Sequence, residues 1–296
     1  MNQNIFVMEK KALCAHHSHW GEIGVIPWDS DIFGFKVGNL TVPDAPIPCA
    51  EKSDFRRALT AWAGEKDVEM VGCNVSALAE TNAEVSPEKR RDAVTTNARD
   101  SWPSFLCQSG WIVIEQPLRV TLTGLKNYQF KDGLVSLREA TLDDREAVEE
   151  IARTAFRHGR YCADPFFPED LAQLRYHRWV SNAFTSLRDG DLATKIYLLG
   201  EGQVEGFMHV SVENGVADLR LAAVDSAVAS ARAGFNLYLS TLKSLQAAGV
   251  GRVTSKIAAS NIAVLKLYSA LGFRFSDPEW VFHWHAPDAP HLLRES

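Results

Sequence analysis

Apolar positions change their spacing along the chain, and these changes mark the predicted elements. Residues 253–257 read as the end of a short strand. Beyond Ser260 or Asn261, either of which can cap a helix, apolar residues return at helical spacing up to Gly272, where a left-handed C-cap is favoured. Residues 273–275 then resume extended chain, so the predicted order is strand, helix, strand.

The rest of the chain gives the same two spacings. In the second half, the predicted strands are 134–140, 195–200, 204–213 and 216–224, and the predicted helices begin at 141, 171 and 234. In the first half, a turn feeding a strand over 26–40 precedes a helix over 54–63, a strand over 68–75, a short helical segment after Trp102 and a strand over 112–122. The first half therefore has the order of the second half in shortened form, as an internal duplication would produce.

This order predicts an α/β fold (an α+β mixed sheet) built from two tandem units. We expect a partial, non-catalytic unit over residues 1–125, a linker over 126–133 and a complete, catalytic unit over 134–296. The segment L-C-Q-S-G-W in the first half echoes L-Y-S-A-L-G-F in the second, with Leu106 and Cys107 near the place of Leu267 and Tyr268.

Composition narrows the possible partners. The 296 residues carry a net charge of −6, and 46% of them are hydrophobic, which is typical of a globular protein. This charge gives no electrostatic reason to expect binding to nucleic acid or to an anionic membrane. No apolar run is long enough to span a bilayer, and the N-terminus lacks the pattern of a secretion signal, so a cytoplasmic location is predicted.

The cysteines and histidines predict no metal site. The five cysteines are scattered and never form a C-x-x-C pair. His16, His17 and His19 lie close together, but no cysteine or carboxylate at ligand spacing accompanies them, which favours a solvated loop. His283 and His285 flank Trp284 on a predicted strand, so they lie on one face and either line a pocket or are simply packed.

One run carries a recognisable pattern, N-x-A-x-x-x-L-Y-x-x-L-G-F from Asn261 to Phe273. It resembles the acceptor-end signature of the GNAT acyltransferases, which move an acyl group from coenzyme A to an amine. The resemblance implies that Asn261 lies along the pantetheine arm and that Tyr268 protonates the leaving thiolate. A phenol is a suitable acid for that step at neutral pH. Taken alone, Tyr268 is better explained as a core aromatic on an amphipathic helix, and only the whole run from Asn261 to Phe273 favours the catalytic role.

The same resemblance implies a coenzyme A site made mostly of backbone. Residues 219–224 match the strand whose backbone N–H groups face the acyl carbonyl. The loop that follows should carry glycines that let the pyrophosphate approach. Here the middle glycine is replaced by Arg232, which either crowds the phosphate or donates to it directly. The predicted cofactor contacts are Leu221, Ala222, Ala223, Val224, Ala229, Arg232, Ala233, Gly234 and Asn261.

Two further segments resemble nucleotide-sugar amine N-acetyltransferases, including those that act on dTDP-linked 4-amino-4,6-dideoxyhexoses. The first is W-D-S-x-x-F-G-F from Trp28, and the second is the aromatic- and arginine-rich stretch 157–179. The implied acceptor contacts are Trp28, Asp29, Asp31, Phe33, Arg160, Tyr161, Tyr176 and Trp179. Helix or turn capping by the aspartates, and surface charge beside a packed tryptophan, explain the same residues without a ligand.

The sequence therefore predicts transfer of an acetyl group from acetyl-CoA to a small-molecule primary amine, without a metal. A nucleotide-linked amino sugar is the first acceptor expected, and an amino acid, peptide or antibiotic amine the second. Asp29, Asp31, Asp164 or a water chain is open as the base. The alternative is a degenerate GNAT module without turnover that senses a ligand or acts as a scaffold. A homodimer is compatible with the sequence.

Overall fold

The computed structural model describes residues 9–12, 20–43, 52–76, 101–130 and 133–290, so His16, His17 and His19 lie outside the described residues. The helices are α1 (Pro27–Phe33), α2 (Lys52–Lys66), α3 (Trp102–Gln108), α4 (Arg145–Ala155), α5 (Glu169–Arg188), α6 (Ala231–Ala247) and α7 (Ile262–Ala270). The strands are β1 (Glu9–Ala12), β2 (Glu22–Val25), β3 (Lys36–Thr41), β4 (Val68–Ser76), β5 (Ile112–Glu115), β6 (Pro117–Thr123), β7 (Arg138–Glu139), β8 (Thr194–Leu199), β9 (Gly206–Glu213), β10 (Val216–Val224), β11 (Arg252–Ala258) and β12 (Arg274–His285).

These elements group into two compact units that do not follow a single cut in the sequence. Unit 1 comprises residues 1–116, 163–171 and 277–296, and unit 2 comprises 117–162 and 172–276. A division at the expected linker, 126–133, separates the chain differently. Strand β6 precedes that linker yet belongs to unit 2, and most of β12 belongs to unit 1. Each unit is therefore completed by a strand from the other half of the sequence.

Unit 1 is a sheet in the order β1-β2-β3-β4-β12, with β5 also paired to β12. Strands β3 and β4 are parallel, and α2 connects them. The other pairs, including β4 with β12, are antiparallel. Large aromatic residues fill the core, where the ring of Phe55 on α2 meets those of Trp20 and Phe105 edge-on.

Unit 2 is a sheet in the order β6-β11-β10-β9-β8-β7. Strands β10 and β11 are parallel and joined by α6, while β6 is antiparallel to β11. Alternation along β9 sends Met208 and Val210 into a core shared with α6 and α7, and Phe207 into a second core shared with α4 and α5. The sheet is therefore covered by helices on both faces.

The start of the expected linker is packed into unit 2. A 3-10 turn spans Leu125–Asn127, and the side chain of Leu125 is fully buried. The side-chain amide of Gln246 on α6 donates hydrogen bonds to the carbonyls of Leu125 (2.7 Å) and Tyr128 (3.0 Å). These bonds fix the chain to α6 just before residue 131.

Several sequence expectations differ from the observed elements. Of the strand expected over 134–140, only β7 forms, and the helix expected from 141 begins with a 3-10 turn before α4 starts at Arg145. Residues 26–40, expected as a turn and a strand, contain the helix α1 before β3 begins at Lys36. Pro27 suits the first position of this helix, and Gly34 ends it with φ 73°. The strand expected over 112–122 is broken at Gln116 into β5 and β6. None of the helices in the described segments is both long and apolar enough to cross a membrane.

Candidate active site

Strands β10 and β11 are hydrogen-bonded to each other only over about the first half of their length. Their residues pair in parallel from Val216 with Arg252 to Leu219 with Ser255. Beyond that rung, β10 continues to Val224 paired only with β9, and β11 continues to Ala258 paired only with β6. A bulge at Arg220 shifts the register of β10 with β9 at the same point. The backbone edges of residues 221–224 and 256–258 are consequently no longer bonded to each other.

Tyr268 on α7 lies at the point where the strands separate. Its hydroxyl has those of Ser255 and Tyr238 as hydrogen-bonding neighbours. The hydroxyl of Ser255 in turn donates to the carbonyl of Leu219 at 2.8 Å, across the last paired rung. The ring of Tyr268 is 1% exposed and meets Tyr238 and Phe273 edge-on, at 5.4 and 4.7 Å between centroids. The phenol oxygen thus lies beside the last paired rung of β10 and β11. We call the space between the two strands beyond that rung the opening, and the rung its apex.

The Leu-Gly-Phe sequence after α7 fixes the backbone of this tyrosine. Gly272 has φ 79°, a left-handed conformation that glycine adopts without penalty. Its N–H donates to the carbonyl of Ser269, and that of Phe273 donates to the carbonyl of Tyr268 at 3.0 Å. This is the Schellman pattern of helix ends. The predicted helix stop is confirmed, and it bonds directly to Tyr268.

Burial keeps both phenols protonated. Burial raises the pKa of Tyr268 well above its ordinary value near 10, and the neighbouring Tyr238 raises it further, against the hydrogen bond of Ser255. Burial likewise raises the pKa of Tyr238 to about 12, against its hydrogen bond with Tyr268. Tyr268 is therefore available as a proton donor and not as a base at neutral pH.

The expected phosphate-binding loop runs into a helix that a serine side chain already caps. Helix α6 begins at Ala231 rather than Gly234, so Arg232, Ala233 and Gly234 form its first turn. Ser230 caps it: its Oγ accepts from Ala233 N–H at 3.1 Å, and its carbonyl accepts from Gly234 N–H. Ala229 and Arg232 are exposed. Arg232 thus lies in the first turn of α6, where the helix dipole favours an anion, and its guanidinium group adds a full positive charge at that place.

Asn261 caps α7 as its position in the sequence predicts. Its Oδ1 accepts a hydrogen bond from Val264 N–H at 3.3 Å, and the residue is half-buried. The side-chain amide nitrogen takes no part in that bond. The capping prediction is confirmed, and a role of Asn261 beside a cofactor stays a prediction.

Unit 1 repeats the helix ending without the tyrosine. Gly110 after α3 has φ 89°, and the N–H of Trp111 donates to the carbonyl of Leu106 at 3.1 Å. This bond corresponds to the one from Phe273 to Tyr268, so Leu106 occupies the position of the tyrosine. Unit 1 therefore has the same local structure and no phenol there.

The first acceptor segment forms α1. Asp29 is fully buried, Trp28 is half-buried, and Asp31 is exposed on the same short helix. Phe33 is buried, and its ring packs against that of Phe167 at 4.7 Å between centroids. Phe167 lies in the stretch 163–171, which belongs to unit 1. Within this unit, the contact therefore joins the predicted acceptor segment that begins at Trp28 to the middle of the other predicted segment, 157–179.

The remaining acceptor residues lie in unit 2. Tyr161 is buried, and the guanidinium groups of Arg160 and Arg175 lie over its ring at 4.8 and 5.2 Å from the centroid. Arg175 also lies over Trp179, at 5.3 Å. Sequence reasoning missed Arg175, although its spacing of four residues from Trp179 on one helix places the two side chains together.

Tyr176 is bonded away from that group. Its hydroxyl donates to the carbonyl of His158 at 2.9 Å, close over Gly159, whose φ of 136° is open to glycine alone. Its ring stacks on Phe156 at 4.5 Å between centroids. The contacts of Tyr176 are thus those of a residue that holds the segment before α5 in place.

A second polar cluster lies in unit 1. Oδ2 of Asp164 is 2.6 Å from Nδ1 of His283 and 2.9 Å from Nε2 of His285. Burial alone would raise the pKa of Asp164, but the two histidines outweigh it and hold that pKa well below its usual range. The sequence had placed both histidines on one face of a strand. It gave no sign that Asp164, 119 residues from His283, would meet them.

Comparison with solved structures identifies the fold. A GCN5-related N-acetyltransferase from Sphaerobacter thermophilus matches with a TM-score of 0.56 and 13% identity, over 90% of this chain and 76% of that one. A tandem GNAT protein from the clavulanic acid biosynthesis pathway matches with a TM-score of 0.53 and 15% identity, over 90% and 79%. The chain has the tandem GNAT fold. The predicted resemblance and fold class are thereby confirmed.

Comparison of sequences adds a narrower match. The chain is 26% identical over 147 residues to the spore coat polysaccharide biosynthesis protein SpsD of Bacillus subtilis (strain 168). The match covers 49% of this chain and about half the length of SpsD. No family model matches the sequence.

Proposed function

We propose that this GNAT-fold protein transfers an acetyl group from acetyl-CoA to a primary amine. The observation that carries the proposal is the separation of β10 from β11 after the Leu219–Ser255 rung, with the Tyr268 hydroxyl at its apex. A thioester arm laid into this opening would meet unpaired backbone edges on both sides. Side chains buried below the opening then keep water from the reacting carbonyl.

The chain supplies the elements that the chemistry needs. Backbone N–H groups of Leu221, Ala222, Ala223 and Val224 are the candidates to stabilise negative charge on the acyl oxygen, a contribution of roughly 3 kcal/mol for one such donor. The amine nitrogen bonds to the acyl carbon and the carbon–sulfur bond breaks. Tyr268 donates its proton to the departing sulfur, and the proton lost by the amine replaces it, so the products are an amide and a thiol.

One observation favours the second candidate, a module that binds a ligand without turnover. Because the Ser230 side chain already bonds the amide of Ala233, one backbone donor fewer is available for a pyrophosphate than at an uncapped helix start. On our proposal, Arg232 replaces it with a charged donor. Binding of acetyl-CoA and its dependence on Arg232 therefore separate the two candidates.

We propose a nucleotide-linked amino sugar as the acceptor. SpsD, a relative in sequence, is named for spore coat polysaccharide biosynthesis. Arg160 and Arg175 lie against Tyr161 in unit 2, and an arginine pair beside an aromatic ring suits a diphosphate attached to a base. A panel assay tests this choice: thiol release from acetyl-CoA is measured with nucleotide amino sugars, amino acids, peptides and aminoglycosides.

The experiment for the reaction compares Tyr268→Phe with Tyr238→Phe. Both remove one buried hydroxyl, but only the first removes the proposed acid. Tyr268→Phe should lower kcat by roughly ten- to a thousandfold and leave acetyl-CoA affinity, measured by calorimetry, nearly unchanged. Tyr238→Phe should lower kcat by less than tenfold.

Two outcomes would contradict the proposal. Near-normal turnover in Tyr268→Phe removes the acid role. Absence of acetyl-CoA binding up to millimolar concentration in the unmodified protein, with unfolding still cooperative, favours the module without turnover.

Charge reversal in Arg232→Glu serves as the matched test of the helix start, and it should weaken acetyl-CoA binding while leaving thermal stability unchanged.

A further inference from the structure

Three side chains in unit 1 converge in the way that metal ligands do. Oδ2 of Asp164, Nδ1 of His283 and Nε2 of His285 all lie within 4.8 Å of one another. The histidines are two residues apart on β12, so strand alternation directs both to one face. Asp164 comes from the loop before α5. The cluster is therefore assembled from two distant parts of the sequence, both of which belong to unit 1.

The buried carboxylate of Asp164 needs a positive charge beside it. The side chains of Asp164 and His283 are 0% exposed, and that of His285 is 7% exposed. Within the described part of the chain, no lysine or arginine forms an ion pair with Asp164. A buried carboxylate is costly unless a positive charge lies beside it. Either a proton on an imidazole or a bound metal ion can provide that charge.

The surroundings of Asp164 direct only one of its carboxylate oxygens, Oδ2, at the histidines. Its other oxygen, Oδ1, accepts a hydrogen bond from Phe166 N–H at 2.9 Å, and its carbonyl accepts from Phe167 N–H at 3.2 Å. Ligating carboxylates commonly have such outer contacts, which orient the oxygen that binds the metal. The ring of Phe166 packs against His285 at 5.6 Å between centroids and gives the cluster an apolar wall.

We propose that Asp164, His283 and His285 bind one divalent transition-metal ion of the zinc class. Two imidazole nitrogens and one carboxylate oxygen suit Zn²⁺, Co²⁺ or Ni²⁺, whereas Mg²⁺ and Ca²⁺ prefer oxygen ligands alone. Zinc bonds of about 2.0–2.2 Å in a tetrahedron place ligand atoms about 3.3 Å apart. Binding therefore moves the two nitrogens away from Oδ2 by roughly half an ångström, in exchange for their hydrogen-bonding protons.

The proposed site leaves one coordination position for a water or for a donor atom of a bound molecule, as in zinc sites with three protein ligands. Sequence spacing does not predict this site, because Asp164 lies 119 residues from His283. The site does not depend on acyl transfer, so a failure of either proposal leaves the other standing.

The test uses the full chain, stripped with a chelator and then titrated with Zn²⁺ or Co²⁺ in equilibrium dialysis with elemental analysis. We expect one equivalent of metal, bound with micromolar or better affinity, and a visible Co²⁺ absorption typical of four or five ligands. Asp164→Asn and His285→Gln should each weaken binding at least about a hundredfold, beyond the loss seen when only an outer contact is removed. Zn²⁺ should raise the melting temperature of the unmodified chain and not of these variants.

Controls separate this cluster from other histidines. The triple variant His16→Ala/His17→Ala/His19→Ala removes the other histidine group of the sequence, and His158→Ala removes an exposed histidine of unit 2. Both should keep the full metal content. Less than a tenth of an equivalent in the unmodified chain, or a metal content that follows the triple variant, overturns the proposal. The cluster is then only an aspartate hydrogen-bonded to two histidines.

Discussion

His209 on β9 is a buried histidine outside both candidate sites, and it makes the stability of unit 2 depend on pH. Its side chain is buried, and its Nδ1 has no hydrogen-bond partner among the residues that the structure describes. Burial above all, with the charge of Arg220 acting in the same direction and that of Asp191 against it, lowers its pKa from 6.5 to about 4. The folded protein therefore holds this imidazole neutral.

The sign of the pH effect follows from that shift. Between pH 6.5 and 4, the unfolded chain binds a proton at His209 that the folded chain does not, so stability falls as the pH falls. From pH 7 to 4.5 the loss from this residue should be about 2 kcal/mol. The free energy of unfolding in urea, measured for the unmodified chain and for His209→Gln at both pH values, isolates the contribution of His209. The variant should lose about 2 kcal/mol less, and an equal loss in both chains would show that His209 is not responsible.

Single residues explain why the sequence could place Tyr268 on a capped helix but could not bring together Asp164, His283 and His285. The tyrosine is fixed by neighbours in sequence: Asn261 starts its helix and Gly272 ends it. Local signals of this kind are readable without a structure. Asp164 and His283 meet only because their segments are brought together by the fold, over 119 residues. No spacing rule spans that distance.

At the scale of elements, the two glycine-ended helices provide a matched pair. Gly272 and Gly110 both have positive φ, and a Cβ at either would meet nothing within 4 Å. Replacement by alanine therefore has only a conformational cost, about 1 kcal/mol at each position. The bond after Gly272 ends on the carbonyl of Tyr268, whereas the bond after Gly110 ends on that of Leu106.

The two substitutions should thus match in stability and differ in activity. Gly272→Ala and Gly110→Ala should each lower the free energy of unfolding by about 1 kcal/mol. Gly272→Ala should also lower thiol release from acetyl-CoA several-fold because it shifts the helix end that positions the phenol, while Gly110→Ala should leave it unchanged. Denaturant unfolding and the thiol assay measure both. An equal activity loss in the two variants would mean that the helix end at Tyr268 has no special role.

The sequence predicts an element well where one spacing of apolar residues persists along it. The prediction fails where signals for two different structures overlap. The strand over 216–224 and the helix after Asn261 were predicted with their observed bounds or within a residue. Over 26–40, the alternation of Phe33, Phe35 and Val37 favoured a strand, yet Pro27 and Gly34 enclose a seven-residue helix. At Gln116, an alternating pattern continues through a break that only pairing with two different strands produces.

At the scale of the whole molecule, the interleaving of the units sets what can fold alone. Strand β6 comes from the first half of the sequence and pairs along all of β11, from Thr123 with Arg252 to Pro117 with Ala258. Strand β12 ends the second half and pairs with β4. A repeat pattern in the sequence shows that two similar units exist. It does not show which strand completes which unit, because pairing between distant strands has no local signal.

This interleaving predicts how fragments behave. A fragment of residues 126–296 contains the proposed catalytic residues but lacks β6, so β11 has an unpaired edge, and it also lacks the β4 partner of β12. Exposed edges of this kind favour aggregation. We expect the fragment alone to be insoluble or to unfold without cooperativity, and a fragment of 1–125 to behave likewise for want of β12. Produced together, the two should form a soluble complex with near-native circular dichroism.

A fragment of residues 117–296 is the matched comparison, since it restores β6 and the buried Leu125 to unit 2. It should be more soluble than 126–296 and should unfold with measurable cooperativity. Thermal unfolding followed by circular dichroism compares the three fragments with the full chain. Should 126–296 alone unfold as cooperatively as the full chain, β6 does not complete unit 2, and the boundary read from the sequence is the physical one.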